Sequence, residues 1–185
     1  MAHRYAGRGL VVGSCLLAFL STACSPAGPP PSPPSTSAAV PIPTETDQER
    51  EQRLAYEAAE TSYREFRVEF YRVLAAGGAK SATPKMKATA AGPYLKYFTE
   101  LAQAYKGESK HSTGSERTGY VRPQGYSSDS LVLDVCEDST AVRDFNAKGK
   151  QTGEGEVRTA RLEVRRVSGV WKVWDGDGEK VSSCG

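Results

Sequence analysis

Histidine is nearly missing from this 185-residue chain, which holds two, His3 and His111. Imidazole is the usual carrier of acid–base work at neutral pH and a common zinc ligand. His3 falls in a leader-like N-terminus, which leaves His111 alone in the polar stretch SKHST. A histidine dyad or triad, and a zinc ligand set, are thereby excluded from the body of the chain. Long apolar runs are scarce too. The stretch Leu10–Leu20 (LVVGSCLLAFL) fades into Ser-Thr and a proline cluster, short of the roughly 20 residues that span a bilayer. Neither a G-x-x-x-x-G-K-[ST] phosphate loop nor a G-x-S-x-G elbow occurs. DGDGE at Asp175–Glu179 hints at calcium, but counting from Asp175 puts Lys180 where the loop needs glycine. The two Asp-Gly steps are instead expected to form tight turns. No metal and no cofactor is expected.

Net charge is scarce as well. The chain has 24 basic and 22 acidic side chains. Residues 1–23 carry Arg4 and Arg8 and no acid, so the remainder holds 24 − 2 = 22 of each sign. A neutral body has no field to recruit nucleic acid.

What is present first is an export signal over residues 1–23. His3, Arg4 and Arg8 precede the apolar run, and Ser21-Thr22-Ala23 supplies small residues for cleavage. Cleavage there removes Cys15 and leaves Cys24, Cys136 and Cys184. In an exported protein an odd thiol is a liability. Cys136 lies in the strand-like run LVLDVC and Cys184 is the penultimate residue. Pairing them stabilises by about 4 kcal/mol in the chain-entropy treatment. Cys24 is then the odd sulfur, at the head of the mature chain. Ser-Thr-Ala-Cys resembles the lipobox of bacterial lipoproteins, which implies a lipid on Cys24 and a place on the outer face of the cytoplasmic membrane. Ser21 stands where that family usually has a branched apolar residue. Ser21-Thr22-Ala23 also suits ordinary signal peptidase, which would give a soluble secreted chain. Residues 24–45 join this cysteine to a linker: Ser25–Thr44 holds eight of the eleven prolines and no charge. Such composition favours extended polyproline II and spans about 60 Å, a stalk.

Residues 46–185 read as one α+β domain. Thr46–Glu49 has the form of a capping box. Tyr56, Ala59, Tyr63, Phe66, Phe70 and Val73 then make one apolar stripe on a long helix that stops at Gly77-Gly78. The stripe is expected to be core. Thr83-Pro84 opens a second helix, broken at Gly92-Pro93, whose second piece carries Tyr94, Leu95, Phe98, Leu101, Ala102 and Tyr105. Residues 107–117 are turn-rich and polar. Strand-like runs follow: TGYVRP, SLVLDVCE, EVRTARLEVRRV and VWKVWDG, the last two joined by a turn at Ser168-Gly169. In the last run Trp171 and Val173 share one face, and Lys172 and Trp174 the other.

This order resembles the nuclear transport factor two-like cone fold, in which a long helix and a broken helix pack on a curved antiparallel sheet. The stretches TPKMKATAAGPYLKYFTELAQAYKG, LVLDVCEDST and VSGVWKVWDGDGEKVSSC resemble small secreted actinobacterial lipoproteins and wall proteins of uncharacterised function with that fold. The resemblance also implies the Cys136–Cys184 bridge. Cone-fold enzymes pair an acid with a base, often Asp with His, inside the cone. With no such dyad, the expected role is non-enzymatic: binding an envelope protein partner or a small ligand. Asp134, sharing a strand face with Cys136, is the candidate for an interior base of an isomerase- or dehydratase-like enzyme, or else lies on the solvent face with a basic partner. Trp174 and Arg161 are candidates for a docking patch on the outer face. A subunit of an envelope-spanning secretion or conjugation assembly is a further alternative.

Overall fold

The computed structural model describes residues 45–185, so the export signal, Cys24 and the proline-rich stretch lie outside the described residues. Helix α1 (Asp47–Ala75) starts with the capping box: Thr46 Oγ1 accepts from Glu49 N at 3.2 Å, and Thr46 N donates to Glu49 Oε2 at 2.8 Å. It ends where Gly77 and Gly78 take φ of 85° and 76°. A Cβ on Gly78 would stand 2.2 Å from Ala102 O, so glycine here also lets the chain press against the helical backbone around Ala102. Helix α2 (Pro84–Thr89) begins with proline in its first turn, and α3 (Gly92–Gly107) restarts after the extended residues Ala90 and Ala91. The broken helix is present as expected.

The strands form two sheets. In the larger, β2 (Arg117–Tyr126), β3 (Ser130–Asp138), β6 (Val157–Val167) and β7 (Val170–Lys180) pair antiparallel in the order β2-β3-β6-β7. The β6–β7 hairpin turns on Ser168 and Gly169, both left-handed, which matches the twist of the flanking strands. The alternation in β3 buries Leu131, Leu133 and Val135 on the helix side, where Leu162, Val164, Trp171 and Val173 join them. Tyr63, Phe66, Phe70 and Val73 of α1 cover this face, each 3% exposed or less. The architecture is therefore α+β, helices on one face of an antiparallel sheet, as in the cone folds.

Two expectations are corrected. DGDGE forms no turn: it lies inside β7, paired with β6 from Asp175↔Glu163 to Glu179↔Thr159. Cross-strand hydrogen bonds hold these residues extended despite their turn-prone composition. The polar stretch after α3 is not all loop. β1 (His111–Thr113), β4 (Arg143–Phe145) and β5 (Gln151–Glu154) make a second, three-stranded sheet in the order β1-β4-β5. These strands are too short and polar to show a period in sequence; pairing at distant positions creates them. No helix among the described residues is long and apolar enough to cross a membrane.

Candidate functional site

Between the helices and the large sheet lies a cleft of about 530 Å³. Its positions follow from helical and strand periods. Tyr94, Phe98, Leu101 and Tyr105 recur along α3 at one face, and Arg67, Phe70 and Tyr71 at one face of α1. From the sheet come Glu137 of β3, and Ala160 and Leu162 of β6. Opposite them in register stand Gly178 and Gly176 of β7. A Cβ on Gly176 would lie 2.5 Å from Leu162 Cδ2, so glycine allows the close strand approach and leaves the cleft open above it. A shallower groove of about 370 Å³ runs along α1 beside Val121 and Pro123, but no buried polar group faces it.

The floor of the cleft is polar. Arg67, 7% exposed, pairs through Nη2 with Glu137 Oε2 at 2.9 Å. Its Nε donates to Glu116 Oε1 at 3.1 Å, and Nη2 donates to Glu116 Oε2 as well. Tyr63 donates to Glu137 Oε1 at 2.7 Å. Tyr71 shares a 2.9 Å hydrogen bond with Ser139 Oγ, which donates to Glu116 Oε2 at 3.1 Å. Aromatic faces close the cluster: the guanidinium lies 5.2 Å from the Tyr71 ring centroid and 5.3 Å from that of Phe98. Two carboxylates thus face one guanidinium.

Protonation follows from this burial. Desolvation pushes the Glu137 carboxyl above the ordinary carboxylate range, against the pull of Arg67. Burial likewise raises the phenols of Tyr63, Tyr71 and Tyr94, so Tyr63 stays a donor to Glu137. Arg67 loses hydration on burial, yet the two carboxylates hold its proton more tightly than in water. At the far end of the cleft Ser112 donates to Asp144 Oδ1 at 2.6 Å, and burial lifts Tyr105 to about 12. A carboxyl with raised affinity for its proton, oriented by a phenol and a guanidinium and open to a cleft, is equipped for proton exchange with a bound molecule.

The sequence candidates lie elsewhere. Asp134 is on the outer face of β3, where Arg161, its register partner on β6, binds it with Nε–Oδ1 at 2.9 Å and Nη2–Oδ2 at 3.2 Å. The reading of Asp134 as an interior base is corrected: Leu133 and Val135 take the inward positions. Trp174 and Arg161 have separate partners. Trp174 stacks under Arg165, 4.7 Å from its guanidinium, and packs on Gly92, while Arg161 is held by Asp134. His111 lies in β1 and stacks on Phe145 with centroids 5.5 Å apart. Cys136 and Cys184 are disulfide-bonded, Cα–Cα 5.7 Å, with the C-terminal residues brought back to the outer face of β3. Sequence reasoning missed Glu137, Arg67 and Glu116. The signal for Glu137 was present, because it is the next inward position after Leu131, Leu133 and Val135.

No protein-family model matches the chain, and no curated protein matches it. Solved structures do. The intermembrane space region of the chloroplast protein ARC6 is similar at 14% identity over 68% of this chain and 97% of that one, with a TM-score of 0.47. A proposed dehydratase of the NTF2-like family from Streptomyces avermitilis is similar at 13% identity, over 71% and 99% of the two chains, with a TM-score of 0.44. A proposed aromatic ring hydroxylase from Novosphingobium aromaticivorans is similar at 12% identity, over 71% and 92%, with a TM-score of 0.46. The likeness is one of fold. It corrects the expectation of a non-enzymatic domain, since two of these similar structures are described as enzymes. That expectation rested on a missing histidine dyad, and the buried Glu137–Arg67–Tyr63 cluster supplies acid–base groups without histidine.

Proposed function

We propose that the protein is an exported lipoprotein whose domain binds a small amphipathic organic molecule in the cleft, with Glu137 exchanging a proton with it. Cys24 carries the lipid in this reading, and residues 25–44 are the stalk that sets the domain off the membrane. The odd cysteine count supports the lipid, because Cys136 and Cys184 are committed to each other. The observation that carries the ligand reading is the cleft itself: about 530 Å³, aromatic walls, and a floor of buried, mutually bonded charges. Pockets for small molecules combine these features, an apolar lining with a few convergent polar groups.

Two experiments test it. Intact mass of the exported protein shows an acyl increment on a chain beginning at Cys24; the bare mass would contradict the anchor. Calorimetric titration with small hydroxylated aromatics, in buffers of different ionisation enthalpy, shows binding with net proton uptake from the buffer, because covering the cleft desolvates Glu137 further and raises its affinity for a proton. Glu137→Gln removes the buffer dependence, and Ala160→Phe, which fills the cleft from β6, removes binding. Binding that survives Ala160→Phe unchanged contradicts the cleft.

A further inference from the structure

Two donors at the floor of the cleft have nothing to donate to. Tyr94, on the first turn of α3, is 7% exposed and lines the cleft. The phenols of Tyr63 and Tyr71 are bonded to Glu137 and Ser139, but among the described residues the Tyr94 hydroxyl has no acceptor. Arg67, also 7% exposed, directs Nε and Nη2 at Glu116, Glu137 and Tyr71. Its Nη1 enters no hydrogen bond among the described residues. Every fully enclosed side-chain nitrogen and oxygen there has a partner, so these two donors are not sealed in: they open to the cleft that both residues line. They are also neighbours, since the Arg67 charge pulls the Tyr94 phenol back against the rise that burial gives it.

The acceptors of the floor are already in use. Glu137 Oε1 takes the Tyr63 hydrogen and Oε2 faces Arg67, while Glu116 takes Arg67 and Ser139. Resting on the cleft reading above, we infer that the ligand is a neutral apolar carbonyl compound, its C=O oxygen accepting from Tyr94 Oη and Arg67 Nη1 and its body against Phe98 and Leu101. A carbonyl oxygen offers two lone pairs to two donors and brings no hydrogen of its own. A phenol offers the same pair one oxygen, but its hydrogen must share a carboxylate that Tyr63 and Arg67 already hold. A carboxylate is a stronger acceptor with nothing to attract it, because Glu116 and Glu137 already meet the one positive charge of Arg67.

The test uses three molecules of one shape: acetophenone, its hydrocarbon isostere α-methylstyrene, with a methylene in place of the oxygen, and benzoate. Each is titrated by calorimetry into the folded protein at neutral pH. Acetophenone binds about tenfold more tightly than α-methylstyrene, the size expected when buried donors gain an acceptor, and benzoate binds weakest. Tyr94→Phe loses most of the preference for the ketone. In thermal melts without ligand Tyr94→Phe stays close to wild type, since its phenol donates no bond there, whereas Tyr63→Phe, which gives up its bond to Glu137, melts lower. Equal affinity for ketone and hydrocarbon, benzoate as tight as acetophenone, a preference unchanged in Tyr94→Phe, or a melting loss equal to that of Tyr63→Phe overturns the carbonyl assignment and leaves the cleft standing. Binding of none of the three by the folded protein overturns the cleft reading and this assignment with it.

Discussion

Tyr63 of α1 donates a 2.7 Å hydrogen bond to Glu137 of β3, which Arg67, one helical turn further on, holds from the other oxygen at 2.9 Å. A buried carboxyl is thus gripped by the helix that covers the sheet. Folding and the chemistry of the cleft share the same atoms, so substitutions here act on both.

Replacing Glu137 by Gln changes the pH dependence of stability. Its carboxyl is raised above the ordinary value of 4.5 in the folded protein. The stability it contributes is therefore fully present below that value and lost as pH rises through the folded value. Glu137→Gln, which mimics the protonated form, gains on wild type as pH rises from about 4.5 towards neutrality. Thermal melts read this directly, at roughly 3 °C per kcal/mol for a domain of this size. A gap constant with pH contradicts it.

Arg67→Met strands two buried carboxylates. Loss of one partner from such a cluster costs about 3–5 kcal/mol. The triple variant Arg67→Met, Glu116→Gln, Glu137→Gln recovers most of it, since no charge is then left unpaired. Urea midpoints at neutral pH check both values. Equal stability of the single and triple variants would mean that the charges are not coupled.

Gly119 on β2 stands where a Cβ would lie 2.6 Å from Cys184 Sγ. Gly119→Ala therefore strains the bridge and lowers stability by about 1–3 kcal/mol, as overpacking does. Cys136→Ala with Cys184→Ala costs about 4 kcal/mol for a sequence separation of 48. In that background without the bridge Gly119→Ala is close to neutral. A double-mutant cycle by denaturant melts measures the coupling, and additive losses contradict it.

Glu69 sets part of the acid limb. The Arg72 guanidinium, at 2.7 Å, and the Thr83 hydroxyl hold its carboxyl down at about 2. Its stability is present above the ordinary value of 4.5 and lost as pH falls from there through about 2. Glu69→Gln flattens the decline of the melting temperature across that window. A limb as steep as wild type would assign acid unfolding to other carboxylates.

Much of the fold was legible because local chemistry and tertiary packing agree. Thr46 and Glu49 cap α1, Gly77 and Gly78 stop it, and Ser168-Gly169 turns the β6–β7 hairpin, each a device that works within a few residues. The second sheet was not legible: β1, β4 and β5 carry no period of their own, and β4 pairs with β5 across 6 to 11 residues but with β1 across 30 to 34. DGDGE was misread for the same reason, its extended form being imposed by β6. The disulfide followed from counting sulfurs. The site was half legible. Asp134 drew attention as the acid within an apolar run, but the period of two puts it outside and Glu137 inside. Arg67 looked like an ordinary charged helix residue; its burial depends on Glu116, nearly 50 residues away and in no motif with it.

The central claim is that the cleft between α3 and the large sheet takes the ligand. Amide chemical-shift mapping with a small hydroxylated aromatic such as 4-methylphenol tests it most directly. The account predicts changes confined to Tyr94–Tyr105, Glu137, Ala160–Leu162 and Gly176–Gly178. Changes centred on the outer face around Asp134 and Arg161, or none in a protein that stays folded, would contradict it.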